Sequence, residues 1–157
     1  MAANVLRFAL FGKEFQAGKT VSIHRLIDSL KARGAEIYIE RTFFRYITSA
    51  LGMEVEVSGV FDNYNFDVDF VISIGGDGTF LRAASMVGSK ATPIIGVNTG
   101  RLGFLADIHP DEIDHAIAEI VDGHYAVEPH AVIMVEADGE IIEGSPFALN
   151  DIAVLKR

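Results

Sequence analysis

The chain has 157 residues, half of them hydrophobic, which suits one folded domain, or one domain plus the start of another, and argues against a disordered chain. Its 22 acidic and 13 basic residues give a formal net charge of −9, which argues against a nucleic-acid-binding surface and against a polybasic membrane surface. Because cysteine is absent, disulfide frameworks and thiolate metal sites are excluded, and the cytoplasm is the expected compartment.

The first part of the chain alternates between strand-like and helix-like segments. A short apolar run over residues 5–11 predicts a strand and not a signal peptide, and no later run approaches the length of a membrane span. Apolar residues then repeat at helical spacing up to Gly34. Next come a predicted strand over 35–39, a helix up to Gly52 and a short edge strand over 55–57.

The middle of the chain continues this alternation. Residues 61–69 mix Asp, Asn and aromatic residues without a period, which predicts a loop whose aromatic side chains pack against the protein. The apolar run 68–74 predicts a strand buried on both faces, followed by a helix that ends at Gly88. A strand over 94–97 and a helix that starts at Pro110 come next. Strands that alternate with helices indicate a parallel α/β sheet, in which ligands bind beyond the carboxyl ends of the strands.

The character of the sequence changes after residue 123. No helical period follows, and turn-linked strands are predicted at 132–135, 140–142 and 148–155. We therefore expect an α/β nucleotide-binding domain over 1–123 and the first strands of a β-rich second domain over 124–157. Because an apolar strand runs almost to the last residue, we expect the chain to be the N-terminal part of a longer protein.

The stretch directly after the 68–74 strand has the composition of a phosphate-binding loop. Gly75, Gly76 and Gly78 surround one carboxylate, Asp77, where the next helix begins. Glycines let the backbone approach a ligand closely, and the N–H groups at a helix N-terminus favour an anion. A carboxylate beside phosphates would repel them unless it accepts a proton from an attacking hydroxyl or holds a metal ion. The stretch therefore predicts phosphoryl transfer and not only phosphate binding.

A rival phosphate loop lies nearer the N-terminus, where residues 12–20 resemble a Walker A loop. Its spacing is wrong by one residue, because Lys13 stands where the first glycine belongs and Gly12 is one position too far from Gly18. We interpret it as a polar loop that places Lys13 and Lys19 at the rim of the site. The Gly-Gly-Asp-Gly stretch also lacks the third glycine of a Rossmann fingerprint.

Two further stretches carry polar groups suited to a nucleotide. The glycine-rich loop that begins at Asn98 also carries Arg101 and Phe104, and Phe104 offers an apolar surface for a base. Asn150 and Asp151 interrupt an apolar strand, and a buried polar pair is costly unless a ligand satisfies it. The simpler alternatives are a glycine-rich connection with Phe104 in the core and a hairpin turn at Asn150.

Other polar residues have simpler interpretations. The five histidines show neither helical pairing nor cysteine partners, so no protein metal site is predicted from them. Carboxylates in a first helical turn are favoured by the helix dipole, so we expect a solvated face for the acidic cluster Asp107, Asp111, Glu112 and Asp114.

Three motifs in order resemble those of the NAD kinase family. They are Gly-Gly-Asp-Gly-Thr at 75–79, Gly-Val-Asn-Thr-Gly-Arg-Leu-Gly-Phe-Leu-Ala-Asp at 96–107 and Ala-Leu-Asn-Asp at 148–151. The first motif is shared with lipid kinases and, in a close variant, with phosphofructokinases, while the other two narrow the resemblance. It implies transfer of the terminal phosphoryl of ATP or polyphosphate to the 2′-hydroxyl of the adenosine ribose of NAD, giving NADP. A divalent metal, with Mg²⁺ the expected ion, and a homodimer or homotetramer are implied as well.

Carried onto this sequence, the resemblance implies that Asp77 is the catalytic group, which accepts the proton of the 2′-hydroxyl or orients that hydroxyl. The implied nucleotide contacts are Gly75, Gly76, Gly78 and Thr79 for phosphates, Leu81 and Phe104 for adenosine, and Asn150 and Asp151 for adenine and ribose. Asn98 and Arg101 are further candidate nucleotide contacts in the second motif. The departure is length, because a further Gly- and Thr-rich nucleotide motif of the second domain is absent. The alternatives are a lipid or sugar kinase and a catalytically inert nucleotide-binding fragment.

Overall fold

The computed structural model describes residues 5–14, 20–100, 105–139 and 145–149 of the chain. The strands are β1 Arg7–Gly12, β2 Glu36–Glu40, β3 Gly59–Phe61, β4 Phe70–Gly75, β5 Ile94–Asn98, β6 Ile133–Met134 and β7 Phe147–Ala148. The helices are α1 Thr20–Ala32, α2 Arg41–Arg45, α3 Asp77–Val87 and α4 Ile113–Val121, and a π-helical turn, Tyr46–Ala50, extends α2. Short 3₁₀ turns follow α3 at Gly88–Lys90 and precede α4 at Pro110–Glu112.

Five of the strands form one parallel sheet in the order β3-β2-β1-β4-β5. The predicted parallel α/β architecture is confirmed. From β1 the chain builds outward to β2 and β3 on one side, and then crosses to β4 and β5 on the other. The topological switch point therefore lies between β1 and β4, where open sheets of this type bind ligands at the carboxyl ends of their strands. Gly12 and Gly75 end these two strands.

Alternate residues of the central strands face two different helical layers. On one face, Phe8 and Leu10 of β1 share a core with α1 and α4. On the other face, Ala9 and Phe11 pack with Ala83 of α3. Every residue of β4 is buried, as its uninterrupted apolar run predicts. On the second face, α3 lies beside the switch point.

The predicted edge strand over 55–57 is wrong, because the edge strand is Gly59–Phe61. The Ser58 amide donates to the Ile37 carbonyl at 2.7 Å and starts the pairing with β2. At Gly59 an added Cβ would lie 2.9 Å from the Tyr38 ring, so the pairing begins where a glycine fits. The two valines of 55–57 are partly buried against the core. Their alternation with glutamate therefore reflects this packing and not strand pairing.

Two of the three aromatic residues of the 61–69 segment pack inside the protein, as predicted, whereas Tyr64 is exposed. Phe61 and Phe66 are both buried, and their ring centroids lie 5.3 and 5.7 Å from that of Phe11. Edge-on ring contacts of this kind stabilise a core beyond the area that they bury. These rings are therefore core residues and not a ligand platform.

The start of the predicted β-rich region is an antiparallel pair that packs on α3. Ile133 pairs with Ala148, and the Ser145 hydroxyl donates to the Ser85 carbonyl at 2.8 Å. Gly88 has a positive φ of 54°, and the Phe147 ring lies so close that a Cβ there would come within 2.8 Å of it. The strand predicted at 140–142 and most of the one predicted at 148–155 lie outside the described residues. No helix in the described ranges is long and apolar enough to cross a membrane.

The acidic cluster before and within α4 is exposed, as predicted, and also joins α4 to α1. Asp111 accepts a hydrogen bond from Arg25 at 2.9 Å, and Asp114 accepts from the Ser29 hydroxyl at 2.7 Å and from Arg33 at 3.0 Å. The Ser29 hydrogen bond, followed by that of Arg33, holds the pKa of Asp114 below its ordinary value. The Arg25 hydrogen bond lowers the pKa of Asp111 in the same way.

Removing the Asp114 charge should lower stability at neutral pH, and the effect should shrink in acid. A lowered pKa in the folded state stabilises the fold above the unfolded-state pKa of about 3.9, and that contribution disappears as pH falls through the lower folded value. In thermal melts at pH 7, 5 and 3, the difference between Asp114→Asn and the parent should therefore be smallest at pH 3. Asp28→Asn, at an exposed α1 carboxylate, is the control. An equal difference between Asp114→Asn and parent at all three pH values would contradict the prediction.

Candidate active site

The glycine-rich stretch forms the junction between β4 and α3. Gly76 is the extended N-cap residue of α3, and its carbonyl accepts hydrogen bonds from the Thr79 and Phe80 amides at 3.0 and 3.2 Å. Asp77 is the first residue of the helix, and Gly78 is exposed. The first N–H groups of a helix have no partner within it, so this junction directs donors outward beside the Asp77 carboxylate.

Nothing in the described part of the fold requires glycine at positions 76 and 78. Gly76 has a φ of −105°, Gly78 lies within the helix, and neither is among the residues with positive φ. A Cβ on either would meet no described atom within 4 Å. At Gly12, in contrast, a Cβ would lie 2.2 Å from the ring of Phe43. As far as the described residues go, the glycines at 76 and 78 therefore leave the start of α3 open, as close approach by a ligand requires.

The loop after β5 lies beside Asp77, as its position in the sheet predicts. The Leu105 amide donates to Oδ1 of Asp77 at 3.1 Å. The Thr99 amide donates to the Gly75 carbonyl at 3.1 Å, and Asn98 is the sheet partner of Gly75. One oxygen of the carboxylate is thus oriented by a backbone donor 28 residues away in the sequence.

A glycine in β5 makes this approach possible. The Ile108 amide donates to the Gly96 carbonyl at 3.0 Å, and the Asn98 amide donates to the Ile108 carbonyl at 2.8 Å, so the returning segment lies alongside β5. A Cβ at Gly96 would come within 2.6 Å of the Ala106 Cα. Only a residue without a side chain at position 96 lets the segment lie near enough for Leu105 to reach Asp77.

The structure brings several predicted site residues to one edge of the sheet. These are Gly75, Gly76, Asp77, Gly78 and Asn98, with Thr79 buried beneath them and Leu81 half-buried on α3. Lys13 is exposed and directly follows β1, as expected for a residue at the rim. Gly18, Lys19, Arg101, Phe104, Asn150 and Asp151 lie outside the described residues, so their roles stay predictions.

Two charged residues that the sequence motifs did not indicate lie at the same edge. Glu40 ends β2, its side chain is only 8% exposed, and its Oε2 accepts from the Phe43 amide at 3.0 Å, capping α2. Its Oε1 lies 3.0 Å from Nη2 of Arg82. Nη1 of Arg82 donates to the Gly12 carbonyl at 3.3 Å. In the sequence, the only indication of this pair is that a charged residue, Glu40, occupies the last position of a mostly apolar strand.

Within the described ranges, no group of three or more His, Asp or Glu side chains is placed to hold a metal ion. A single carboxylate such as Asp77 suits Mg²⁺, which keeps several waters and is commonly held by one or two carboxylates together with substrate phosphates.

Comparisons with known proteins agree with the motifs. Residues 12–125 match the family model described as the ATP-NAD kinase N-terminal domain. The chain is 49% identical over 152 residues to the NAD kinase of Bacteroides fragilis, covering 97% of this chain and 52% of that relative. It is 39% identical over 152 residues to the NAD kinase of Porphyromonas gingivalis, covering 96% of this chain and 52% of that relative.

A solved structure shares the fold. The crystal structure of yeast NADH kinase complexed with NADH matches with a TM-score of 0.67 at 16% identity, covering 92% of this chain and 46% of that chain. The chain spans about half the length of the curated relatives that it matches. With a family model matched over residues 12–125 and the three motifs in order, the chain belongs to the NAD kinase family.

Proposed function

We propose that the protein containing this chain is an NAD kinase, which transfers the terminal phosphoryl of ATP or polyphosphate to the 2′-hydroxyl of the adenosine ribose of NAD. The observation that carries the proposal is the open glycine surface at the start of α3, with the Asp77 carboxylate held beside it by the Leu105 amide. Membership of the family supports the choice of NAD as acceptor.

In this mechanism Asp77 acts on the acceptor hydroxyl. The 2′-oxygen attacks the terminal phosphorus, the bond from that phosphorus to the bridging oxygen of the donor breaks, and the hydroxyl proton passes to the Asp77 carboxylate. The Leu105 amide keeps the carboxylate in one orientation. The Gly76 and Gly78 backbone at the helix N-terminus accommodates phosphate oxygens, where the helix dipole favours negative charge.

The remaining assignments follow the family pattern. We assign Thr79 to phosphate binding, and the other nucleotide contacts to Leu81, Asn98, Arg101, Phe104, Asn150 and Asp151. A divalent cation, with Mg²⁺ expected, would be held by donor phosphates and Asp77 and would neutralise the charge that develops on the phosphates. We further propose a cytoplasmic homodimer or homotetramer, with an α/β domain over 1–123 and a β-rich domain that begins at 124.

The open space at Gly78 gives a test that separates stability from activity. Gly78→Ala should leave the melting temperature unchanged or raise it, because alanine favours the helix by about 0.5–1 kcal/mol and no described atom obstructs its Cβ. The same methyl group would occupy the space proposed for phosphates. We therefore expect kcat/KM for ATP to fall about 10- to 100-fold, the equivalent of one lost charged hydrogen bond.

The assay follows NADP formation by the full-length protein from NAD, ATP and Mg²⁺. Lys31→Ala, at an exposed position of α1, is the control for the effect of placing an alanine on a helix surface. Unchanged kcat/KM in Gly78→Ala would contradict a phosphate site at this glycine. Phosphorylation of a diacylglycerol or a hexose in preference to NAD would contradict the proposed acceptor.

A further inference from the structure

Arg82 extends from α3 across the topological switch point. It lies on the helix that follows β4, and its Nη1 donates to the carbonyl of Gly12 at the end of β1, 70 residues earlier. The guanidinium therefore lies at the carboxyl end of β1, which borders the switch point where open α/β sheets bind their ligands.

A buried carboxylate fixes the position of this guanidinium. Both oxygens of Glu40 are occupied, one by the Phe43 amide and the other by Nη2 of Arg82. The Arg82 side chain is nevertheless 37% exposed. A guanidinium has five N–H donors in a rigid fork; here Nη1 donates to the Gly12 carbonyl and Nη2 forms the ion pair with Glu40. Among the described residues the donors that remain have no further partner, and the partly exposed guanidinium can face a ligand.

The two flanks of the α3 N-terminus differ in chemistry. Asp77 faces the loop after β5 through the Leu105 amide, and the nucleotide contacts predicted in the second motif follow β5. Arg82 faces the opposite flank, at β1 and β2, where exposed Lys13 also lies. In phosphoryl transfer the attacking and leaving oxygens are roughly in line, so a donor enters from the flank opposite the acceptor.

We propose that Arg82, held in place by Glu40, binds the phosphate chain of the phosphoryl donor on the β1 side of the site. This inference rests on the proposed function for the identity of the reaction. The chemistry that it assigns is a guanidinium fork on a chain of phosphates, a pairing that suits the bidentate geometry of arginine. In a chain with a net charge of −9, such a local cation favours the binding of a polyanionic donor.

The test measures donor affinity with and without turnover. Arg82→Met should raise the KM for ATP by about 10- to 100-fold and leave the KM for NAD nearly unchanged, because only donor phosphates lose a charged hydrogen bond. Arg82→Lys keeps the charge without the guanidinium fork, so its KM for ATP should lie between those of the parent and Arg82→Met. Calorimetry with ATP and with inorganic tripolyphosphate should show the same weakening for both, whereas adenosine binding should not change.

Arg25 provides a matched control on the opposite face of the sheet. Like Arg82, it donates to a backbone carbonyl, that of Pro110, and to a carboxylate, that of Asp111, and its side chain is 40% exposed. Arg25→Met should therefore remove a comparable ion pair without changing donor affinity. If Arg82→Met and Arg25→Met give equal KM values for ATP, the proposal is overturned while NAD kinase activity stands.

A second variant keeps the test decisive if Arg82→Met folds poorly. That change leaves the buried Glu40 carboxylate without its partner, which destabilises a protein whatever the role of the pair. Arg82→Met combined with Glu40→Gln removes the buried charge, and glutamine can still accept from the Phe43 amide. The double variant should regain melting temperature but not affinity for tripolyphosphate. Recovery of both would make Arg82 a purely structural residue, and a parent protein that binds phosphates through Arg82 without forming NADP would overturn only the proposed reaction.

Discussion

Asp77→Asn should lower the rate of NADP formation by about 10²–10⁴-fold, the range typical for loss of a general base. Asparagine retains an Oδ1 atom that can accept from the Leu105 amide, so the link between α3 and the loop after β5 should survive. Its amide cannot take the proton of the 2′-hydroxyl. The expected result is therefore a large loss of kcat with a melting temperature close to that of the parent protein.

The measurement is the steady-state rate of the full-length protein with NAD, ATP and Mg²⁺, together with a thermal melt. Asp28→Asn applies the same substitution to an exposed carboxylate of α1, on the other face of the sheet, and should retain parental turnover. Full activity in Asp77→Asn would remove Asp77 from the reaction. Asp77→Glu adds a second check, because a longer carboxylate should restore part of the rate if proton acceptance is the role.

Gly96→Ala should destabilise the protein by about 1–3 kcal/mol, the usual cost of forcing extra volume into a packed region. The new Cβ would lie 2.6 Å from the Ala106 Cα and 3.0 Å from the Phe80 ring. A backbone atom cannot rotate away as a side chain can, so the segment that carries Leu105 must move away from β5. Since Leu105 donates to Asp77, the variant should lose activity in the fraction that stays folded.

Urea unfolding measures the stability part of this prediction. Gly76→Ala is the matched control for stability, because its Cβ would meet no described atom within 4 Å and its φ of −105° suits alanine. Equal unfolding free energies for Gly96→Ala and Gly76→Ala would show that the close approach of β5 and Ala106 does not constrain the fold.

Much of the fold could be predicted because it depends on local periodicity. The two-sided apolar run of β4 and the helical spacing of α1 identify buried elements without any knowledge of their neighbours. The prediction of the edge strand was wrong because the alternation at 55–57 reflects partial burial. Where a strand pairs depends on its partner strand, which local alternation does not reveal. Here the partner strand is β2, and the ring of Tyr38 leaves room only for a glycine at position 59.

The site was predictable where its chemistry lies within one short stretch. Gly76, Asp77 and Gly78 adjoin in the sequence, so composition alone indicated a phosphate site. The contacts that complete it join positions far apart: Leu105 reaches Asp77 across 28 residues, and Arg82 reaches Gly12 across 70. Hydrogen bonds between a side chain and a distant backbone group leave no period in the sequence, so only the folded arrangement reveals them.

The position of β1 at the centre of the sheet has a consequence for biosynthesis. Its second neighbour, β4, comes much later in the chain, and Arg7 bonds to Asp69 across 62 residues. The chain emerges from the ribosome N-terminus first, so β1 can pair with β2 early. The other edge of β1 stays unpaired until β4 has been synthesised. Unpaired apolar edges promote association between chains, and distant pairings form slowly. During the interval between the emergence of β1 and that of β4, the nascent chain is therefore exposed to misassembly.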